Sequence, residues 1–378
     1  MKQGQTKPLE DVCNVEYGTR VVQKRDGGKG FPVYGGGGAT FEMDGFNRED
    51  RLVIARFGMS EECTRFVAGK FYLNDSGLTV SPKNGAMHQR FLDYQILALN
   101  DDIYALGKGT AQKNLDVPVF RTLPLFVPES LAEQQRIVGL LDEAFEGLAT
   151  AKANAEKNLQ NARALFESHL QSVFTQRGPG WVEKKVSEIA KHSLGKMLDK
   201  AKNKGEPQPY LRNINVRWFT FDLSDLLQMP FLPTEAEKYT AIKGDVLICE
   251  GGYPGRAAIW DEDYPIYFQK ALHRVRFHQP ELNKWFVYYL SVQDSSGQLK
   301  EHFSGTGIQH FTGEVLARFK IPVPPLPELR QAVAKFDALS EETQHLARLY
   351  EQKLAALEAL KKSLLHQAFT GKLQRLLD

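Results

Sequence analysis

The segment from Leu131 to Arg177 recurs without a gap from Leu326 to Lys372, and this internal repeat constrains the chain more than any other feature. Leu131/Leu326, Glu133/Glu328, Val138/Val333, Asp142/Asp337, Leu159/Leu354, Leu165/Leu360, Ser168/Ser363, Leu170/Leu365, Phe174/Phe369 and Thr175/Thr370 are identical pairs. Both segments lack internal proline; Pro128 and Pro327 stand near their starts, where a missing N–H costs little. The repeat extends upstream. A proline-bearing apolar run precedes each helix (123–130 and 319–327), and a Gly-Thr opening precedes each run, GTAQKNL at 109–115 and GTGIQHF at 305–311. LEDVCNVEYG (9–18) resembles VSEIAKHSLG (186–195), so the order is variable domain, helix, variable domain, helix.

In the second helical segment Phe336, Leu339, Thr343, Leu346, Tyr350, Lys353, Leu357, Leu360, Leu364 and Gln367 alternate spacings of three and four, the seam of a coiled coil. The first segment offers Ala144, Ala151, Ala155 and Ala162 at matching positions. Bulky side chains in one copy and alanines in the other predict an intramolecular, antiparallel pairing, with Leu141, Leu148, Ala155 and Ala162 facing Leu339, Leu346, Tyr350, Leu357 and Leu364. The alternative is that each helix covers only its own globular domain. The intervening regions read as mixed α/β. Short β-rich runs at 51–57, 94–100, 244–252 and 258–268 alternate with Gly-rich turns, and 281–293 is expected to be a helix. The expected segments are 1–125, 126–178, 179–320 and 321–378, in an α+β fold with a pseudo-two-fold repeat.

Composition excludes several classes. Hydrophobic residues make up 42% and charged residues 25%, a globular composition. No apolar run reaches the roughly 20 residues of a membrane span, and the opening MKQGQTKPLED lacks a secretory h-region. Cys13, Cys63 and Cys249 lie far apart without metal spacing, which fits a reduced, cytoplasmic setting and no bound metal. Catalytic motifs are missing too. Gly35–Gly38 and Gly107-Lys108-Gly109-Thr110 do not fit a phosphate loop and read as turns or as close backbone approach to a ligand. A methyltransferase would need a Gly-rich cofactor loop after a strand and an Asn/Asp-Pro-Pro-aromatic motif. Glu183-Lys184-Lys185 supplies only half of a carboxylate–lysine nuclease motif. His273, His302 and His310 show no ligand spacing. Catalysis by this chain alone is not expected.

The net charge of +2 argues against a nucleic-acid binder until it is resolved locally. Between 184 and 217 stand Lys184, Lys185, Lys191, Lys196, Lys200, Lys202, Lys204, Arg212 and Arg217, opposed only by Glu188, Asp199 and Glu206. Asn213, Asn215 and Trp218 lie in the same stretch, side chains able to read base edges or pack on sugar–phosphate. A solvated basic face is the plainer reading. A nearly neutral chain can still carry two basic faces.

Taken together, the chain resembles the specificity subunits of type I restriction–modification systems. The resemblance rests on the helix openings Ser130-Leu131-Ala132-Glu133-Gln134-Gln135-Arg136-Ile137-Val138 and Pro325-Leu326-Pro327-Glu328-Leu329-Arg330. It rests also on the two Gly-Thr motifs and on the closing Leu364–Leu373. Leu329 departs from the pattern set by Gln134, which is expected to weaken a contact there. The resemblance implies two target-recognition domains, each reading one half of a split double-stranded DNA sequence, spaced by the paired helices. It implies a chain without cofactor that docks modification subunits, with S-adenosylmethionine, ATP and magnesium on those and on restriction (motor–nuclease) subunits, in the cytoplasm and away from membrane. Polar and basic residues near Gly turns are the expected DNA contacts: Tyr34, Arg56, Gln89, Arg90, Lys108, Thr110, Gln112 and Lys113 in the first domain. In the second they are Lys196, Arg212, Asn213, Arg217, Tyr253, Arg256, Gln269, Thr306, Gln309 and His310. Two other readings remain: a specificity subunit paired with a combined endonuclease–methyltransferase, or a coiled-coil adaptor whose heads bind proteins.

Overall fold

The computed structural model describes residues 4–370 except 86, 200, 202, 306 and 308. The chain forms two compact units. One takes the residues up to Glu156 and those from Glu351 onward; the other is Lys157–Tyr350. Each long helix, Leu131–Thr175 and Leu326–Thr370, therefore contributes to both.

The first unit is built on a six-stranded sheet in the order Cys13–Tyr17, Gly77–Pro82, Arg48–Ala55, Thr64–Leu73, Phe31–Tyr34, Ala39–Met43. Neighbours are antiparallel except Phe31–Tyr34, which runs parallel to Thr64–Leu73. Arg48–Ala55 ends in four buried residues, Leu52 to Ala55, because a central strand is covered on both faces. The second unit repeats the first four positions of that order with Ala190–Leu194, Leu272–Phe277, Val246–Cys249 and Ala257–Ile259, all antiparallel. It then departs. A separate four-stranded sheet forms from Leu227–Phe231, Glu206–Leu211, Ile266–Phe268 and Thr240–Ala241. In both units a two-stranded ribbon leads into a long helix, Gly4–Pro8 with Pro124–Pro128 and Val182–Lys185 with Lys320–Val323.

The run at 94–100 is not a strand. It is the end of the helix Gln89–Ala98 and the start of Asn100–Ala105. Phe91 to Ile96 are all buried between the sheet and the long helices, so the polar Asp93 and Gln95 do not mark a solvent face as they would on a surface helix. Leu282–Ser295 is its counterpart in the second unit. Asp93, 4% exposed, accepts from Gln89 Nε2 at 2.8 Å, and burial pushes its carboxyl up to about 6. A carboxyl raised in the folded state contributes stability below its unfolded value near 4 and loses it as pH rises through about 6. Asp93→Asn, which keeps the Gln89 bond, is thus expected to match the parent below pH ~4 and to exceed it by about 3 kcal/mol at pH ~8. Parallel pH profiles of the unfolding midpoint for the two proteins would count against this.

The long helices pack on each other antiparallel, as the alanine-to-bulky complementarity predicts. In the first unit Lys152 Nζ pairs with Glu358 at 2.7 Å and Lys361 lies 5.8 Å over Phe145. In the second, the Phe336 ring centre is 5.9 Å from those of His169 and Phe174. Leu141, Ala155 and Ala162 are buried, and Leu148, Leu339, Leu346, Tyr350, Leu357 and Leu364 are half-buried. The seam differs from the heptad reading beyond Tyr350. Lys353 and Leu360 are exposed, and Leu354, Lys361, Leu365 and Ala368 turn inward instead. Each helix takes two consecutive four-residue steps at the aligned places, Ala151–Ala155–Leu159 and Leu346–Tyr350–Leu354. Such a stutter locally unwinds a left-handed supercoil.

Each globular part is tied to its helices by the same device. Asp142 accepts from Arg90 at 3.1 Å and from the Tyr94 hydroxyl, and Asp337 accepts from Lys284 and the Tyr288 hydroxyl, both at 2.6 Å. Burial, helped by the carboxylate, pushes Tyr94 up to about 12 and raises Tyr288, so both phenols remain donors. At the helix openings, fully buried Gln134 accepts from His88 N at 2.7 Å. Its counterpart Leu329 loses that bond and packs in the core with Trp285.

Candidate nucleic-acid interface

In the first unit four loops converge past the end of Arg48–Ala55. Gly36 N donates to Ser76 Oγ at 3.2 Å, and Arg65 donates to Gly36 O at 3.3 Å. Arg56 N donates to Ser76 O at 2.8 Å, while Met59 N donates to Lys113 O at 3.0 Å and Gly58 N to Asn114 Oδ1 at 3.3 Å. Leu115 N donates to Arg56 O at 2.9 Å, which docks the Gly-Thr loop on the loop after the central strand. The second unit repeats that bond: Phe311 N donates to Glu250 O at 2.8 Å, joining its Gly-Thr loop to the loop after Val246–Cys249. Buried His273 supports it there, with Nε2 3.1 Å from Phe311 O; burial lowers its imidazole to about 4, so the ring is neutral near pH 7.

The Gly-Thr motif has a backbone reason. Gly109 and Gly305 have φ of +114° and +110°, a conformation essentially reserved for glycine. Gly252 is similar at +78°, and Asn213 Nδ2 stands 2.2 Å from where its Cβ would be. That close approach lets Asn213 donate to Gly251 O at 3.1 Å.

The expected contact residues divide into two groups. In the first unit Arg56, Lys108, Thr110, Gln112 and Lys113 sit in the loop cluster; Lys108 pairs with Asp116 at 2.5 Å and Lys113 lies 3.8 Å over Tyr104. In the second, Asn213, Arg217, Tyr253, Arg256, Gln309 and His310 do so. Arg256 donates to Asn213 O at 3.0 Å, Tyr253 OH to Asp294 at 2.8 Å, and His310 lies against Gly251. Arg212 is held by Asp225 at 2.7 Å, and Arg217 pairs with Asp222 at 3.5 Å. Thr306 falls outside the described residues, as do Lys200 and Lys202 of the basic run.

The other group is engaged in contacts within its own unit, Lys196 buried and Tyr34, Gln89, Arg90 and Gln269 half-buried. Lys196 is buried, bonded to Pro230 O at 2.9 Å and Glu235 at 2.6 Å. Gln89 is tied to Val80 O and Asp93, Arg90 to Asp142, and Tyr34 stacks edge-on against Phe71 at 5.6 Å. The Gln269 backbone bridges to Lys196 and Leu211. Sequence reading missed Tyr17 and Phe57, exposed rings beside Arg56, although an aromatic directly after Arg56 was a visible signal. The thiols are no nucleophiles: burial raises Cys13 to about 12 and Cys63 and Cys249 to about 11. The loops thus present hydrogen-bonding forks, amides and aromatic faces on a fixed backbone, groups suited to reading rather than to bond breaking.

A family profile for the type I restriction modification DNA specificity domain matches residues 1–159 and again 179–358. The type I restriction enzyme MjaVIII specificity subunit of Methanocaldococcus jannaschii is 22% identical over 336 residues, 82% of this chain and 76% of that protein. A putative type I restriction enzyme specificity subunit of Haemophilus influenzae, S.HindORF215P, is 25% identical over 377 residues, 95% of this chain and 94% of its own. Among solved structures, a chain from work on complex assembly and conformational transition of the type I R-M system gives a TM-score of 0.74 at 17% identity, covering 98% of each chain. The HsdS subunit from Thermoanaerobacter tengcongensis gives 0.56 at 18%, covering 98% of this chain and 97% of its own. At those identities the superpositions establish the fold.

Proposed function

The chain belongs to the type I restriction–modification DNA specificity family, whose members are non-catalytic DNA-recognition subunits, and from that premise we propose that each unit reads one half of a split DNA target. The proposal is carried by the duplicated docking of a Gly-Thr loop on the loop after the central strand, by Leu115 N to Arg56 O at 2.9 Å and Phe311 N to Glu250 O at 2.8 Å. One such cluster per unit gives two reading heads in one chain. The paired helices hold them at a set spacing, as half-site spacing does in dimeric regulators, and make the second half-site's binding intramolecular.

In this account the first unit reads with Arg56, Lys108, Thr110, Gln112 and Lys113, and the second with Asn213, Arg217, Tyr253, Arg256, Gln309 and His310. The helices dock two modification subunits that bring S-adenosylmethionine and methylate adenine, and restriction subunits add ATP- and magnesium-dependent translocation and cleavage. The complex acts on DNA in the cytoplasm; no helix among the described residues is long and apolar enough to cross a membrane. Mapping methylated sites in cells carrying the chain with its modification subunit is expected to return two short specified blocks separated by an unspecified gap. A continuous motif, or duplex binding indifferent to salt, would stand against the reading.

A further inference from the structure

We propose that Arg56 reads a guanine in the first half of the target, and that Tyr17 and Phe57 determine this specificity by holding its guanidinium in place. This rests on the reading of the loop cluster as the DNA face. The Arg56 backbone is fixed on both sides, its N–H by Ser76 O at 2.8 Å and its carbonyl by Leu115 N at 2.9 Å. Its guanidinium carbon lies 4.9 Å from the Tyr17 ring centre and 4.5 Å from that of Phe57. Both rings are more than a third exposed, 42% and 38%, so the assembly is at the surface.

Its charge is unspent. Among the described residues no carboxylate pairs with Arg56, and its one side-chain acceptor is Asp75 O at 3.4 Å. Lys108 in the same loop cluster differs: Asp116 pairs with it at 2.5 Å. An arginine packed on aromatic rings keeps its planar fork while losing rotamer freedom in advance, so less is lost on forming two parallel hydrogen bonds. Guanine O6 and N7 are the major-groove pair that accepts such a fork. The second unit repeats the pairing, with Arg256 5.0 Å from the ring of Tyr253, which is 43% exposed, in the loop after its own central strand.

The test uses the full chain with its modification subunits and a randomised duplex library, scored position by position. Arg56→Lys keeps the charge but not the fork; it is expected to reduce discrimination at one guanine of the first half by roughly 5- to 150-fold, leaving the second half unchanged. Phe57→Leu and Tyr17→Leu, which keep the arginine, are expected to cause smaller losses at the same position. A uniform fall in affinity at every position would assign Arg56 to phosphate and overturn the proposal. If Gln112→Ala alters first-half preference while Arg56→Lys does not, guanine reading by Arg56 fails and the loop face stands. If neither alters it, the loop face fails and the proposal with it.

Discussion

Trp285→Ala is expected to cost the second unit about 3–5 kcal/mol, the largest single effect in the chain. The indole is fully buried, with its ring centre 4.6 Å from that of Phe174, 5.4 Å from Trp181 and 6.0 Å from Phe336. Phe174 and Phe336 belong to the two long helices, so this one side chain joins the globular part of the unit to both. Its Nε1 also donates to Pro322 O at 2.7 Å, in the strand that leads into the second long helix. Alanine removes the aromatic contacts, leaves a cavity and costs Pro322 O its donor, losses that add. Trp285→Phe retains most of the ring and is expected to cost less than half as much. Chemical denaturation followed by hydrogen exchange in Leu282–Ser295 measures both; a loss under about 1 kcal/mol for Trp285→Ala would show that the cluster is not the joint described here.

Gly109→Ala is expected to have the largest effect on DNA reading of any single methyl group. At φ +114° a Cβ would stand 2.3 Å from Gln112 O, a backbone atom that cannot swing aside. The local strain is about 1–3 kcal/mol, and it is relieved by rearranging the loop that carries Thr110, Gln112 and Lys113. First-half recognition is expected to be lost while second-half recognition persists. Gly139→Ala is the control. Nothing lies within 4 Å of its added methyl in the long helix, so it is expected to stabilise by about 0.5–1 kcal/mol and leave the target unchanged. Equal target profiles for the two variants would separate the Gly-Thr loop from DNA reading.

The helical architecture was legible because bulky residues in one copy answer small ones in the other at spacings of three and four over a repeated segment, a complementarity that helix pairing uses. The phase of the seam beyond Tyr350 was not. A strict heptad places Lys353 and Leu360 inside, whereas one four-residue step turns Leu354 and Lys361 inward, and both choices keep leucines on the seam. The helix at 89–98 escaped for a related reason, since burial on several sides erases the polar phase that separates helix from strand. For the site, the Gly-Thr openings stood out because a left-handed backbone demands glycine at both. Single contact residues did not. Lys196 and Arg90 look like free cations in sequence, yet Glu235 and Asp142 claim them across distant chain separations. The grouping of Tyr17, Arg56 and Ser76 exists only once three strand ends meet.

The central claim, one reading head per unit, is tested most directly by exchanging residues 179–320 for the matching segment of another specificity subunit and mapping the methylated sites. The account predicts that one block of the split target changes to the donor's, while the other block and the gap stay as they were. A change in both blocks, or in neither, would contradict it.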